Sequence, residues 1–313
     1  RPFYVGTYFP REERRGMPGF LDLLDGLADT WAADRNEIES RADQWLEAIR
    51  GEVESVDEPG SVDDDQLQVA ANAALRAADR QYGGFGSGGP KFPQPARVDL
   101  LLRAAHRFDR EEYLTVATQT LHAMADGGMY DHLGGGFHRY ATDRDWTVPH
   151  FEKMLYDNAT LPPVYLAAHQ LTGDARFATV AAETLDFIDR ELSHPDGGFF
   201  STLDAQSEHE GERVEGAFYV WTPETVQTAL DDDALVDLVG ERFDIADGGN
   251  FEGRTVLTLT TDIESLAAGR SLSVAEVRDR LAEAREALFE ARQSRPRPAR
   301  DETRLLREHG RMM

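Results

Sequence analysis

The sequence predicts a mainly α chain of stacked helical hairpins, either an open solenoid or a closed (α/α) toroid. Three observations carry that expectation. Apolar residues recur at helical spacing along most of the 313 residues. The tripeptide Gly-Gly-Phe occurs at 83–85, 135–137 and 197–199, intervals of 52 and 62 residues, and two helices fit between successive marks. Glycine pairs supply the positive φ that a sharp reversal needs, so the repeating unit reads as helix, helix, Gly-Phe loop.

Each element follows in order. Residues 1–10, RPFYVGTYFP, alternate, carry aromatics and Val, and read as a strand ended by Pro10. Phe20, Leu23, Leu24, Leu27 and Trp31 mark one helix, and Ile38, Ala42, Trp45, Leu46 and Ile49 a second. The polar run DEPGSVDDD at 57–65 reads as a linker, dividing the chain into 1–56 and 57–313. Beyond it, helices are predicted over 64–80, 94–107, 111–126, 149–172, 174–192, 223–230, 232–243 and 273–293.

Composition narrows the function classes. Hydrophobic residues are 41%, as in soluble globular proteins, and no apolar run nears a membrane span. Cysteine is absent, which excludes a disulfide, a thiolate nucleophile and a Cys-ligated metal within the sequence. No leader-like stretch opens the chain, and a cytoplasmic location is expected. Asp and Glu number 58 against 33 Lys and Arg, a net charge of −25, so nucleic acid and anionic membranes are poor partners. Of the basic residues only Lys91 and Lys153 are lysines. An acidic, lysine-poor chain suits a halophilic setting, where salt screens self-repulsion, although a GC-rich genome also favours Arg.

The stretch GGGFHRYATDRDWTVPHFEKMLYDNA, 134–159, concentrates groups able to do chemistry. On a helix starting near Pro149, His150, Lys153 and Asp157 fall at i, i+3 and i+7 and share a face toward a cavity. Tyr130, Tyr140, Trp146, Tyr219 and Trp221 are candidates to stack on sugar faces. Arg139, Lys153, Asn158, Asp204 and Glu208 are candidates to take hydroxyls. Proton abstraction beside a carbonyl needs a base with pKa near 7, and His132, His138 and His150 qualify by type. Glycoside hydrolysis needs two carboxylates, for which Asp131, Glu152, Asp157, Asp204 and Glu208 are available. The spacing of Asp131, His132, His138 and His150 matches no familiar metal pattern, and no metal or other cofactor is expected. GGFGSGGPK at 83–91 lacks the Gly-Lys-Ser/Thr ending of a phosphate loop. Both lysines lie inside motif blocks. Lys153 is expected to pair with Glu152, Asp157 or another motif carboxylate, and Lys91 to support the loop nearby.

Several blocks together, PFYVGTYFP, GGFGSGGPKFPQPARVDLLL, GGMYDHLGGGFHRYATDRDWTVPHFEKMLYDNA, GGFFSTLDAQSE, EGAFYVWT and GNFEG, resemble the DUF255 family of thioredoxin-domain proteins. The resemblance implies a C-terminal part of a thioredoxin-like α/β domain over 1–56, without its Cys-x-x-Cys. Over 57–313 it implies a partial (α/α)6 toroid, similar to N-acylglucosamine 2-epimerases and six-hairpin glycosidases. It also implies truncation at both ends. The family's Cys-x-x-Cys would lie upstream, and DETRLLREHGRMM stands where an Asp-Asp-Lys and Trp-Asn-Gly block is expected. The family's DADSE block is here Asp204-Ala205-Gln206-Ser207-Glu208. The implied ligand is a sugar-like small molecule, bound with epimerase-, isomerase- or glycosidase-like chemistry. The alternative is a non-catalytic binding or chaperone-like module attached to a redox domain.

Overall fold

Caps and apolar spacing set most of the helices. The computed structural model describes residues 2–5, 9–13, 17–53 and 63–303. The chain divides into two units, Arg1–Asp63 and Asp64–Met313. The first holds α1 (Phe20–Ala33) and α2 (Arg35–Val53). Phe20 donates its amide to Pro10 O at 2.8 Å, and the Phe9 and Phe20 rings meet edge to face. Among the described residues of 1–10 none is in a strand; Arg1 and 6–8 lie outside them. A strand exists through its ladder, and no described strand of this unit offers one. Most of the expected linker, 57–62, and the tail from 304 onward also lie outside the described residues.

The second unit is mainly α. It opens with α3 (Asp64–Ala77), α4 (Pro95–Phe108), α5 (Glu111–Asp126), α6 (Leu155–Thr172) and α7 (Ala175–Phe187), which runs into a π-turn at Ile188–Leu192. Pro95 sits in the first turn of α4, where its missing N–H costs nothing, and Asp174 caps α7 by accepting from Arg176 N. Their apolar faces make one core that includes Leu101, Leu102, Tyr113, Leu121, Leu161, Tyr165, Phe177 and Val180. α4 packs directly on α6, and α5 and α7 back them, the arrangement that helical-hairpin toroids repeat. A second core joins α8 (Pro223–Leu230), α9 (Asp233–Phe243) and α11 (Val274–Gln293) through Trp221, Val226, Val239 and Leu288. Ser273 and Glu276 form a capping box at the start of α11. The short α10 (Ile263–Arg270), capped by Asp262, was not expected from spacing.

The helix expected from 149 begins at Leu155 instead. Pro149–Met154 is extended. β2 (Pro149–His150) pairs with β1 (Tyr140–Ala141), and β3 (Lys153–Met154) pairs with β4 (Thr202–Leu203), which pairs with β7 (Arg300–Asp301). The amides of this segment therefore go to ladders, with Leu155 N on Ser201 O at 2.8 Å. Burial alternates accordingly: Pro149, Phe151, Lys153 and Leu155 point inward, and His150, Glu152, Met154 and Tyr156 are half-buried. His150, Lys153 and Asp157 do not share a helical face. A further hairpin joins β5 (Gln206–His209) and β6 (Glu212–Glu215).

The Gly-Gly-Phe repeat of the sequence is also a repeat of backbone geometry. Bridges join Ala78 to Phe85, Tyr130 to Phe137 and Ser193 to Phe199. Inside each, one residue bonds both glycines: Asp79 with Gly83 and Gly84, Asp131 with Gly135 and Gly136, His194 with Gly197 and Gly198. Gly84 and Gly136 have φ of +75° and +78°, and a Cβ there would strike the Trp146 and Phe187 rings respectively.

Candidate functional site

Both lysines hold Gly-Gly loops shut. Lys91 Nζ donates to Asp79 Oδ2 at 2.7 Å and to Gly83 O at 2.6 Å. Lys153 Nζ donates to Asp131 Oδ2 at 2.7 Å and to Gly135 O at 2.8 Å. Asp131 also receives Arg292 at 2.7 and 3.0 Å and the amides of Leu133 and Gly134. Burial would raise its carboxyl pKa, but Arg292 and Lys153 hold it well below the usual range. Burial, followed by Arg292 and Arg190, pulls Lys153 down to about 8, against the opposing pull of Asp131. With every oxygen of Asp131 engaged, this trio is a clamp; the cavity beside it, of about 40 Å³, has room for a water rather than a sugar.

The three histidines are not alike. His132 lies buried with Nε2 3.0 Å from Gly127 O, and His138 lies buried with Nδ1 2.9 Å from Phe151 O. Burial, aided by Arg176 for His132 and Lys153 for His138, pushes both down to about 3. Such rings stay neutral and accept protons poorly near pH 7. His150 is half-buried between Glu152, whose Oε2 is 3.7 Å from Nε2, and Glu215, whose Oε1 is 2.7 Å from Nδ1. Those carboxylates, Glu152 foremost, outweigh burial and raise its pKa above the ordinary value. His150 in turn holds Glu152 below the carboxylate range.

Through Arg139 this cluster reaches the wall of a groove of about 1020 Å³ between α4 and α6, which His150 and Glu152 do not themselves line. Glu152 accepts from Arg139 at 2.9 Å, and Arg139 also bonds Tyr156 in the groove wall. Arg97, Asp99, Arg103, Asp157 and Thr160 supply polar groups to the same wall. Pro162 and Pro163 inside α6 cannot donate to the carbonyls of Asn158 and Ala159, beside which the groove runs. Tyr140 stacks on His150 at 5.0 Å and meets Phe92 in a tilted contact at 4.8 Å, and Phe92 is 44% exposed.

The other expected residues are dispersed. Asp131, Lys153 and Tyr219 line the small cavity, Tyr130 and His132 another, and Asp157 the groove; no described cavity is lined by Asp131, His138, His150 and Asp157 together. Trp146 is core, its Nε1 donating to Tyr82 O at 3.0 Å. Trp221 is core beneath the Arg295 guanidinium. Tyr219 is walled between Phe151 and His138, and burial raises its phenol pKa. The Tyr130 hydroxyl donates to Glu183. Asn158 clamps the Gly loop by accepting from Phe137 N and donating to Phe137 O. Asp204 accepts from Gln206 N and Arg213, and Glu208 is exposed on the β5–β6 hairpin. Glu215, Phe92 and Arg97 were missed; Arg292 joins from 161 residues beyond Asp131, with no local signal.

Residues 1–50 match the family described as "Protein of unknown function, DUF255". Human spermatogenesis-associated protein 20 is 37% identical over 345 residues, an alignment that takes in all of this chain and 43% of that protein. The Mus musculus protein of that name is 36% identical over 346 residues, with the same coverage. The chain thus spans about 43% of the length of these curated relatives. Among solved structures, a sugar epimerase from a ruminal bacterium is similar at TM-score 0.40 and 14% identity, over 79% of this chain and 78% of that one. Cellobiose 2-epimerase from Spirochaeta thermophila is similar at TM-score 0.38 and 22% identity, over 45% of this chain and 41% of that one. Both are partial likenesses of fold. With more than a third of its residues identical to the curated relatives along its whole length, the chain belongs to the DUF255 family.

Proposed function

We propose that the groove between α4 and α6 binds a sugar-like polyol and that His150 moves a proton in a reaction of the epimerase or isomerase kind. The observation that carries this reading is the contrast among the histidines: two are buried and held neutral, and the third is raised and joined through Glu152 and Arg139 to the groove wall. His150 does not itself line the groove, so the reacting carbon is placed at the Tyr156 end, against the Glu152–His150 pair; there a neutral imidazole removes the proton from the carbon beside the sugar carbonyl, and the electron pair passes into an enediolate. Arg97 and Arg103 supply positive charge for that oxyanion. Return of the proton to the opposite face of the carbon calls for a second carrier, and Asp157 is the groove's candidate. Tyr156 in the groove wall, and the Tyr140–Phe92 pair beside His150, suit the apolar face of a ring.

The test incubates the chain in D2O with D-mannose, D-glucose, N-acetyl-D-mannosamine or cellobiose and follows loss of the C2 proton by NMR. Exchange is expected with at least one sugar, falling by about 100-fold or more in His150→Gln. Absence of exchange with all four overturns the catalytic reading. If a sugar still raises the melting temperature, the non-catalytic binding module replaces it.

A further inference from the structure

We propose that this chain carries a second ligand site, apart from the groove, for an organic anion: a carboxylate or phosphoryl head on a flat apolar body. The site is the cavity of about 520 Å³ between α7, α9 and α11, a volume typical of small-molecule pockets. Arg176, Arg242, Arg278 and Arg285 all line it. In a chain of net charge −25, convergence of four cations on one cavity makes a local positive field that favours an anion. The chain's own groups neutralise it incompletely. Glu183, the one carboxylate in the wall, already accepts from Arg285 and from the Tyr130 hydroxyl. Arg176 donates to Ala125 O at 2.9 Å and lies 3.6 Å from Asp126. Arg278 stands 4.0 Å from Glu264 and is largely exposed. Among the described residues Arg242 makes no ion pair; its hydrogen bond goes to the carbonyl of Thr261. Burial, then the neighbouring Arg176, lowers the Arg242 pKa, against the opposing pull of Asp126, Asp262 and Glu264.

The rest of the wall sets the body of the ligand. Val239, Phe243, Leu281 and Leu288 are apolar, and Tyr130 and His132 present a ring pair in T-shaped contact. His132 is neutral, so the positive charge of the site comes from the arginines. Arginine forks match carboxylate and phosphoryl oxygens, and an apolar wall rewards an aromatic or aliphatic body.

Calorimetric titration of the chain with phenyl phosphate, benzoate, inorganic phosphate and benzyl alcohol tests the site. Phenyl phosphate and benzoate should bind saturably, inorganic phosphate about tenfold more weakly for want of a body, and benzyl alcohol not at all. Arg242→Gln should weaken the aromatic anions by about tenfold, and so should Arg278→Glu, whose exposed side chain can be changed without disturbing the core. The groove variant Asp157→Asn should leave their binding unchanged, which separates this site from the one proposed for sugars. No saturable binding of either aromatic anion overturns the proposal, and so does binding that Arg278→Glu leaves intact.

Discussion

The loops at 79–91 and 131–153 are one device built twice, and the difference between them lies in what surrounds the arginine. In each, an aspartate bonds both glycines of the reversal through its backbone and takes a buried lysine at 2.7 Å. In each, an arginine adds two further bonds, Arg144 at 2.7 and 3.0 Å on Asp79 and Arg292 at 2.7 and 3.0 Å on Asp131. Arg144 is 41% exposed and Arg292 is 4% exposed. Water reaches the first trio through Arg144 alone, since Asp79 and Lys91 are buried. The second holds two cations and one anion behind the Phe187 and Tyr219 rings, 4.4 and 5.2 Å from Lys153 Nζ. There the surplus charge is felt: it contributes to the lowered pKa of Lys153 and helps keep His138 neutral. The same local sequence logic gives a buried pair opened to water by its arginine in one place and a fully buried charge cluster in the other.

The comparison breaks most visibly at the aspartates. Asp131→Asn leaves two buried cations without their anion and should cost about 3–5 kcal/mol in chemical denaturation, or prevent folding. Asp79→Asn should cost less, because it strands one buried cation, Lys91, while Arg144 can turn to water. Next come the arginines: Arg292→Gln should lose about 2–3 kcal/mol as charged hydrogen bonds inside the fold disappear, and Arg144→Gln much less. Equal losses at the two loops would show that burial of the arginine does not separate them.

Two pH effects sharpen the picture. In the fold Lys153 is pulled down to about 8 from the ordinary lysine value of 10.5. The unfolded chain binds the extra proton between those values, so stability should rise with pH there relative to Lys153→Met. His150 is shifted the opposite way. Its contribution is fully present below pH 6.5 and is lost as pH rises through its raised folded pKa. Glu215→Gln should shrink that smaller effect, read as the pH dependence of the melting temperature.

Most of the fold was legible. Caps and apolar spacing located α3 to α5 and α7 to α9 because their signals are local, and Gly-Gly-Phe marked the loops because its positive φ is written in the residues. The start of α6 was not, because Pro149–Met154 is held extended by strands at 140–141, 202–203 and 300–301. The alternation Pro149, Phe151, Lys153, Leu155 was visible, but a lysine in the inward series disguised it. The scarcity of lysine did point to Lys91 and Lys153, and Asp-x3-Gly-Gly-Phe occurs before both, at 79 and 131. Arg292 and Glu215, which decide the charge of Asp131 and His150, reach them across 161 and 65 residues, and no pattern in the sequence announces such contacts.

The division of the histidines is the most direct point of attack. Long-range proton–nitrogen NMR of the imidazoles, followed from pH 8 to 4, reads each ring's protonation separately. His150 should titrate above 6.5, with its midpoint falling in Glu215→Gln, while His132 and His138 stay neutral to the acid end of the range. A His138 that titrates near 6.5 while His150 titrates below it would contradict the assignment of His150 as the proton carrier.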